Sequence, residues 1–364
     1  MYKLRKYDYL DQLRGIAIIG VLFTHLHYLD LSFWTSSFLD NISWIWWMWV
    51  PLFFILSAYT LSLSYNSRRY KESHPLQNFY IRRFFRIYPL FLFLTIFVFF
   101  LLSYVTIHYV IDFSFDTHWY NLVVHISFLF WVIPKYIGSM YMGEWSLFNE
   151  LVFYILFPLF FILWDSKKKY VLFITIIIAF IVSYGTNIFT QIYGLYDVYG
   201  TPVTHLYSFL LGVLLFKIRD TYVDTDTLKN LRYLNIALFF ILGILYFMYG
   251  YLYVYPFFIW NLALFMYLFI KGQFFFRWEI LWRFLKFTGI ISYSLYLINY
   301  WFYILAWFFF NNFLVRYIDD NIIFEFTYFI FIVWVLFLIS FLSYKYIEQP
   351  GILLWKKVIT KTSQ

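Results

Sequence analysis

The chain has 364 residues, of which 63% are hydrophobic and 13% charged, and its mean hydropathy is +0.72; that composition excludes a soluble globular domain as the bulk of the protein. The net charge of +8 is carried by Lys and Arg lying between apolar runs, which assigns it to membrane topology and not to nucleic acid. With no cysteine, disulfides, thiolate metal sites and a cysteine nucleophile are excluded as well.

A bilayer span needs roughly 20 mostly apolar residues, and it must be helical because hydrocarbon offers the backbone no hydrogen-bond partners. The fold class expected is therefore all-α, a polytopic transmembrane helix bundle forming one integral-membrane domain over 1–364 with no appended soluble domain. Met1 to Asp11 is basic and leads into an apolar stretch without a small-residue cleavage site, so it reads as the lead of a retained first span and not as a signal peptide. In chain order the expected spans lie near 12–30, 43–63, 84–106, 144–164, 170–189, 203–217, 232–250, 252–270, 287–310 and 323–344, about ten in all.

Positive charge sets their direction. One set of connections holds Arg68, Arg69, Lys71, Arg82 and Arg83, then Lys167 to Lys169, then Lys217, Arg219, Lys229 and Arg232. It continues with Lys271, Arg277, Arg283 and Lys286 and ends in a tail with Lys356, Lys357 and Lys361. Only Lys135 and Arg316 fall on the other side, so both termini are expected in the cytoplasm. The stretch Trp119 to Pro134 is apolar but only about 16 residues long, and as a span it would carry Lys167 to Lys169 outside. It reads as a re-entrant or outer-leaflet helix.

Ionisable residues inside spans are costly and mark cavities, substrate paths or partners. In the first span Arg14 and His25 are 25 − 14 = 11 residues apart, which places them on one helix face roughly 16 Å apart. Two readings are open: a membrane anchor with a satisfied core histidine, or a functional pair. In "FYIRRFFRIYPL" Arg83 and Arg86 share a face at the mouth of the third span. They either snorkel to lipid phosphates or offer guanidinium forks to a phosphate-bearing ligand. Glu150 lies about one and a half turns into the fourth span, where a carboxylate must be paired, protonated or facing water; Glu144 reads as a solvated rim residue. No two histidines stand at i, i+3 or i+4, so no metal site is expected.

At these residues the chain resembles acyltransferase family 3, the integral-membrane O-acyltransferases that modify bacterial surface polysaccharides. "YLDQLRGIAIIGVLFTHL" resembles the family's opening, an Arg or Lys and a His with ten residues between them, matching Arg14 and His25. "PLFFILSAYTLS" resembles the second-span "FFxxSGY" pattern, "RRFFRIYPL" the third-span Arg-x-x-Arg, and "WSLFNELVFYILFP" the fourth-span "WSLxxExxFYxxxP", which aligns Glu150. "LLGVLLF", "GIISYSLYLIN" and "YIEQPG" carry later signatures. Ala58 departs from the usual Gly, and Asn299 stands where many members have His.

The resemblance implies transfer of an acyl group, acetyl by family habit, from cytoplasmic acyl-CoA to a hydroxyl of a saccharide or glycolipid acceptor. It also implies a place in the bacterial cytoplasmic membrane, with no resident cofactor and no nucleic-acid partner. On that reading Arg14, Arg83 and Arg86 bind the donor's phosphates, His25 is a general base or acyl carrier, and Glu150 orients it or binds the acceptor. A transporter or flippase for a lipid-linked saccharide, or an export subunit, is the competing class.

Overall fold

In the computed structural model the described residues are 8–29, 47–109, 118–131, 140, 143–165, 169–194, 200–272, 278–314 and 322–362, and their regular structure is helical throughout. The order is α1 (Asp8–His25) with a 3-10 turn Leu26–Leu29, a 3-10 turn Trp47–Trp49 leading into α2 (Val50–Arg68), α3 (Pro75–Tyr109) and the short α4 (Trp119–Ile126). There follow α5 (Glu144–Asp165), α6 (Lys169–Tyr193), α7 (Pro202–Ile218), α8 (Thr225–Tyr249), α9 (Tyr251–Ile270) and α10 (Glu279–Ile290). Then come α11 (Ser292–Phe309), α12 (Ile322–Ser343) and, beyond a π-helical turn at Tyr344–Glu348, α13 (Gln349–Thr362).

Among the described residues six stretches are long and apolar enough to cross a bilayer: Pro75–Val105, Tyr170–Thr190, Thr225–Tyr249, Tyr253–Ile270, Ser292–Leu314 and Ile323–Ile359. They bear broad exposed apolar faces, such as Phe240, Ile244 and Phe247 on α8 and Phe331 and Trp334 on α12, which only lipid covers without penalty. The protein is thus a multi-pass membrane protein. The other four expected spans coincide with α1, α2, α5 and α7. α7 has 17 residues, and α1 and α2 carry polar side chains such as Gln12 and Ser62 that are buried within the protein, while α5 has 22 residues. Lys135, Lys167, Lys168, Arg277 and Arg316, on which part of the orientation rests, lie outside the described residues.

The chain forms two compact units. One comprises Met1–Gly20, Ile45–Leu76 and Asn149–Ile290. Its centre is the crossing of α2 and α7, where Gly212 lies so near α2 that a Cβ would sit 2.2 Å from the Ile55 carbonyl oxygen and 2.7 Å from the Ala58 Cβ. Small residues let membrane helices approach when no hydrophobic force drives them together. Ala58, the departure from the family's Gly, is therefore matched by a glycine on the facing helix. Phe209 extends the contact, stacking on Phe54 and on Phe153 with ring centroids 4.6 and 3.9 Å apart. The N-terminal part of α1 meets α10 in the same way: a Cβ on Gly289 would fall 1.7 Å from the Asp11 carbonyl oxygen, and Lys286 pairs with Asp8 at 2.9 Å.

The other unit comprises Val21–Trp44, Gln77–Phe148 and Ile291–Gln364. Within it the turn Leu26–Leu29 and α12 both pack on α11. Pro89 interrupts the hydrogen-bond ladder of α3 and releases the carbonyl of Phe85; Gly351 of α13 approaches there, its position for a Cβ being 2.9 Å from the Pro89 ring and 3.4 Å from the Phe85 oxygen. Glu348, in the π turn of the "YIEQPG" signature, is buried and accepts a hydrogen bond of 2.8 Å from Ser294 Oγ. The segment expected as a re-entrant helix is broken. α4 has eight residues, about 12 Å of rise and too short to span, and Phe128 then turns the chain with φ of 58°. The left-handed region costs a non-glycine residue about 1–2 kcal/mol, and the stacking of Phe128 on Phe91 at 4.5 Å contributes against it. Residues 132–134 of that segment lie outside the described residues.

Candidate active site

The last residue of α1 is His25, and its ring lines a narrow cavity of about 20 Å³ together with Phe91, Gly143, Glu144, Leu147, Tyr296, Leu297 and Tyr300. That volume admits little more than a water molecule. All of these residues belong to one compact unit. Tyr300 meets the imidazole edge to face at 5.8 Å. Tyr296 anchors the opposite element: its hydroxyl is 2.5 Å from Ser146 Oγ and donates to the Gly143 carbonyl at 3.2 Å, which ties α11 to the first turn of α5.

Asn299, one turn along α11 from Tyr296, contacts His25 directly through Oδ1 and Nδ1. Its own Nδ2 donates to the carbonyls of Leu295 and Tyr296 at 2.8 and 2.7 Å. Carbonyls only accept, so the amide has one sensible orientation, with Oδ1 toward the imidazole. Nδ1 of His25 therefore carries the proton, and the lone pair of the neutral ring lies on Nε2.

Glu144 opens α5 and is 3% exposed, which corrects its reading as a solvated rim residue. The short α4 and the turn after it enclose it. His125 Nε2 stands 3.2 Å from Glu144 Oε2, Nδ1 donates to the Asn121 carbonyl at 2.8 Å, and Phe130 stacks on the ring at 5.0 Å with planes 8° apart. With Nδ1–H committed to a carbonyl, the Nε2 to carboxylate contact needs one proton between the two groups. Burial lowers the His125 pKa, but the hydrogen bond and charge of Glu144, helped by the Asn121 carbonyl, outweigh it and leave the pKa raised.

Glu150 lies in the other unit. Its Oε1 accepts from Ser57 Oγ of α2 at 2.6 Å and from the hydroxyl of Tyr154 one turn along α5. Its partners among the described residues are thus hydroxyls. Arg14, in the same unit, is half-buried and pairs with Asp11 at 2.8 Å. Arg83 and Arg86 are both half-buried on α3 in the unit of His25. The Arg83 guanidinium lies 5.7 Å from the Phe79 ring, and the neighbouring Arg82 is buried 5.8 Å from the ring of Trp355.

The sequence marks Glu144 only as a rim residue and does not mark His125 at all. Asn299 was noted only as a missing histidine, and the signal available was its place one turn after Tyr296 in "YSLYLIN". His125 and Glu144 are separated by a stretch from which no spacing rule connects them.

A helical multi-pass membrane protein that sets an amide-oriented histidine on a cavity presents a group able to accept and return a proton. The acyltransferase domain model of family 3 matches residues 7–345, and the chain belongs to that family of membrane acyltransferases. No curated protein and no solved structure matches it.

Proposed function

We propose that the protein is an O-acyltransferase of the bacterial cytoplasmic membrane that moves an acyl group, acetyl by family habit, from cytoplasmic acyl-CoA to a hydroxyl of a cell-surface or lipid-linked saccharide. The chain is read as one membrane domain of about ten spans with both termini cytoplasmic. The observation that carries the reading is the ring of His25 on a cavity with its Nδ1 against the Asn299 Oδ1, which leaves Nε2 for the acceptor. In the reaction Nε2 accepts the acceptor's hydroxyl proton while the oxygen attacks the thioester carbonyl. The C–S bond breaks, the new ester leaves, and the thiolate takes the proton back from the imidazolium. His25 as a transient acyl carrier uses the same nitrogen. Arg14, Arg83 and Arg86 are assigned to the donor's phosphates. Glu150 is assigned to the acceptor, since its carboxylate already accepts from two hydroxyls and a sugar offers more of the same.

Membranes carrying the protein, supplied with labelled acetyl-CoA, are expected to label a saccharide-containing product. The variant His25→Ala loses about 10²–10⁴-fold in rate at unchanged protein level. Unchanged transfer by that variant overturns the assignment.

A further inference from the structure

The geometry points to Asn299 as the positioning residue of the reaction, the side chain that fixes the imidazole of His25 in the tautomer with its lone pair on Nε2. The inference rests on the reading of His25 as the base or carrier. Three features argue for it. First, the contact joins the His25 Nδ1 directly to the Asn299 Oδ1. Second, the amide cannot turn over without cost, because flipping would point Oδ1 at the Leu295 and Tyr296 carbonyls and remove two hydrogen bonds. Third, Asn299 is fully buried, so water does not compete for the contact.

An amide suits this place better than a carboxylate. It accepts from Nδ1–H on one side and donates to helix carbonyls on the other, whereas an aspartate would turn a second oxygen toward those carbonyls. It also adds no charge beside the imidazole. The other residues with polar groups that line the cavity are Glu144, whose carboxyl is paired with His125, and Tyr296 and Tyr300.

Two measurements test it. On the intact protein in lipid nanodiscs, with histidine ring nitrogens labelled with nitrogen-15 and His25 assigned by difference against His25→Gln, neutral His25 is expected to show protonated Nδ1 and unprotonated Nε2. The reverse tautomer overturns the proposal whatever any variant does. In Asn299→Leu, which keeps the volume and removes the acceptor, the rate constant kcat for acyl transfer falls about 10²-fold, the KM for acetyl-CoA is unchanged, and the Nδ1–H tautomer is no longer enforced. A variant that keeps full kcat, or loses it with the wild-type tautomer intact, overturns the proposal while leaving the His25 assignment standing. Loss of the assignment itself is read separately, from activity that survives in His25→Ala.

Discussion

The contact between Glu144 and His125 holds one proton between two buried groups, and its consequence is a pH dependence of stability. Because the folded pKa of His125 is raised above that of the unfolded chain, protonated His125 stabilises the fold fully below about pH 6.5. That contribution is lost as pH rises through the folded value. The thermal midpoint of the detergent-solubilised protein is therefore expected to fall as pH rises above neutral. Glu144→Gln flattens this slope and lowers the midpoint at acidic pH, by about 1–3 kcal/mol in free energy; an unchanged slope in the variant would refute the pairing. At this scale the sequence was legible only where chemistry is local. Arg14 and His25 on one helix needed nothing beyond the helical repeat, and the structure carries both on α1. Glu144 looked solvated because it stands at a helix start near the expected surface, and what buries it comes from α4 and its turn, some 15 to 25 residues away in sequence. Asn299 is legible only as a departure from His for a related reason: its value lies in a hydrogen bond to a side chain 274 residues distant.

Among the elements, the α2–α7 crossing is the most demanding. In Gly212→Ala the new methyl would meet a backbone carbonyl, which has no flexible end to move aside, so the helices must part. The expected loss is about 1–3 kcal/mol, read as a lower midpoint in thermal unfolding, and Gly243→Ala on α8, where a Cβ meets nothing within 4 Å, is the control expected to leave it unaltered. Helices were the most legible part of the protein, because a run of apolar residues in a bilayer has only one backbone solution. Each of the ten expected spans overlaps a helix within the described residues, with ends displaced by up to nine residues and the span at 287–310 taking in the end of α10 as well as α11. Less legible was the break after Ile126: nothing in "VVHISFLFWV" announces that Phe128 adopts a left-handed conformation, which sequence rules reserve for glycine and asparagine. The stacking of Phe128 on Phe91 comes from a distant helix, and local propensity carries no trace of it.

For the whole molecule, neither compact unit is a continuous stretch; each is assembled from three parts of the chain. The family signatures are consequently shared out, with Arg14 and Glu150 in one unit and His25, Arg83 and Arg86 in the other, a division that motif order along the chain does not display. The surface holds a further consequence. Along the 25 residues of α8 the buried side chains are Leu228, Asn235 and Leu242, and Asn235 donates to the Asn261 side-chain oxygen of α9 at 2.7 Å and to its carbonyl at 2.9 Å. Acyl chains are as apolar as leucine and give such a helix little reason to stay docked, so the amide pair supplies much of what fixes its position. Asn235→Leu is expected to weaken that docking by about 1 kcal/mol, seen as faster hydrogen exchange along α8 with α2 and α7 unaffected. A short-chain detergent, which competes for apolar faces more aggressively than lipid, should release α8 ahead of the other helices. The choice of solubilising agent then decides how much of the native fold enters any purified assay.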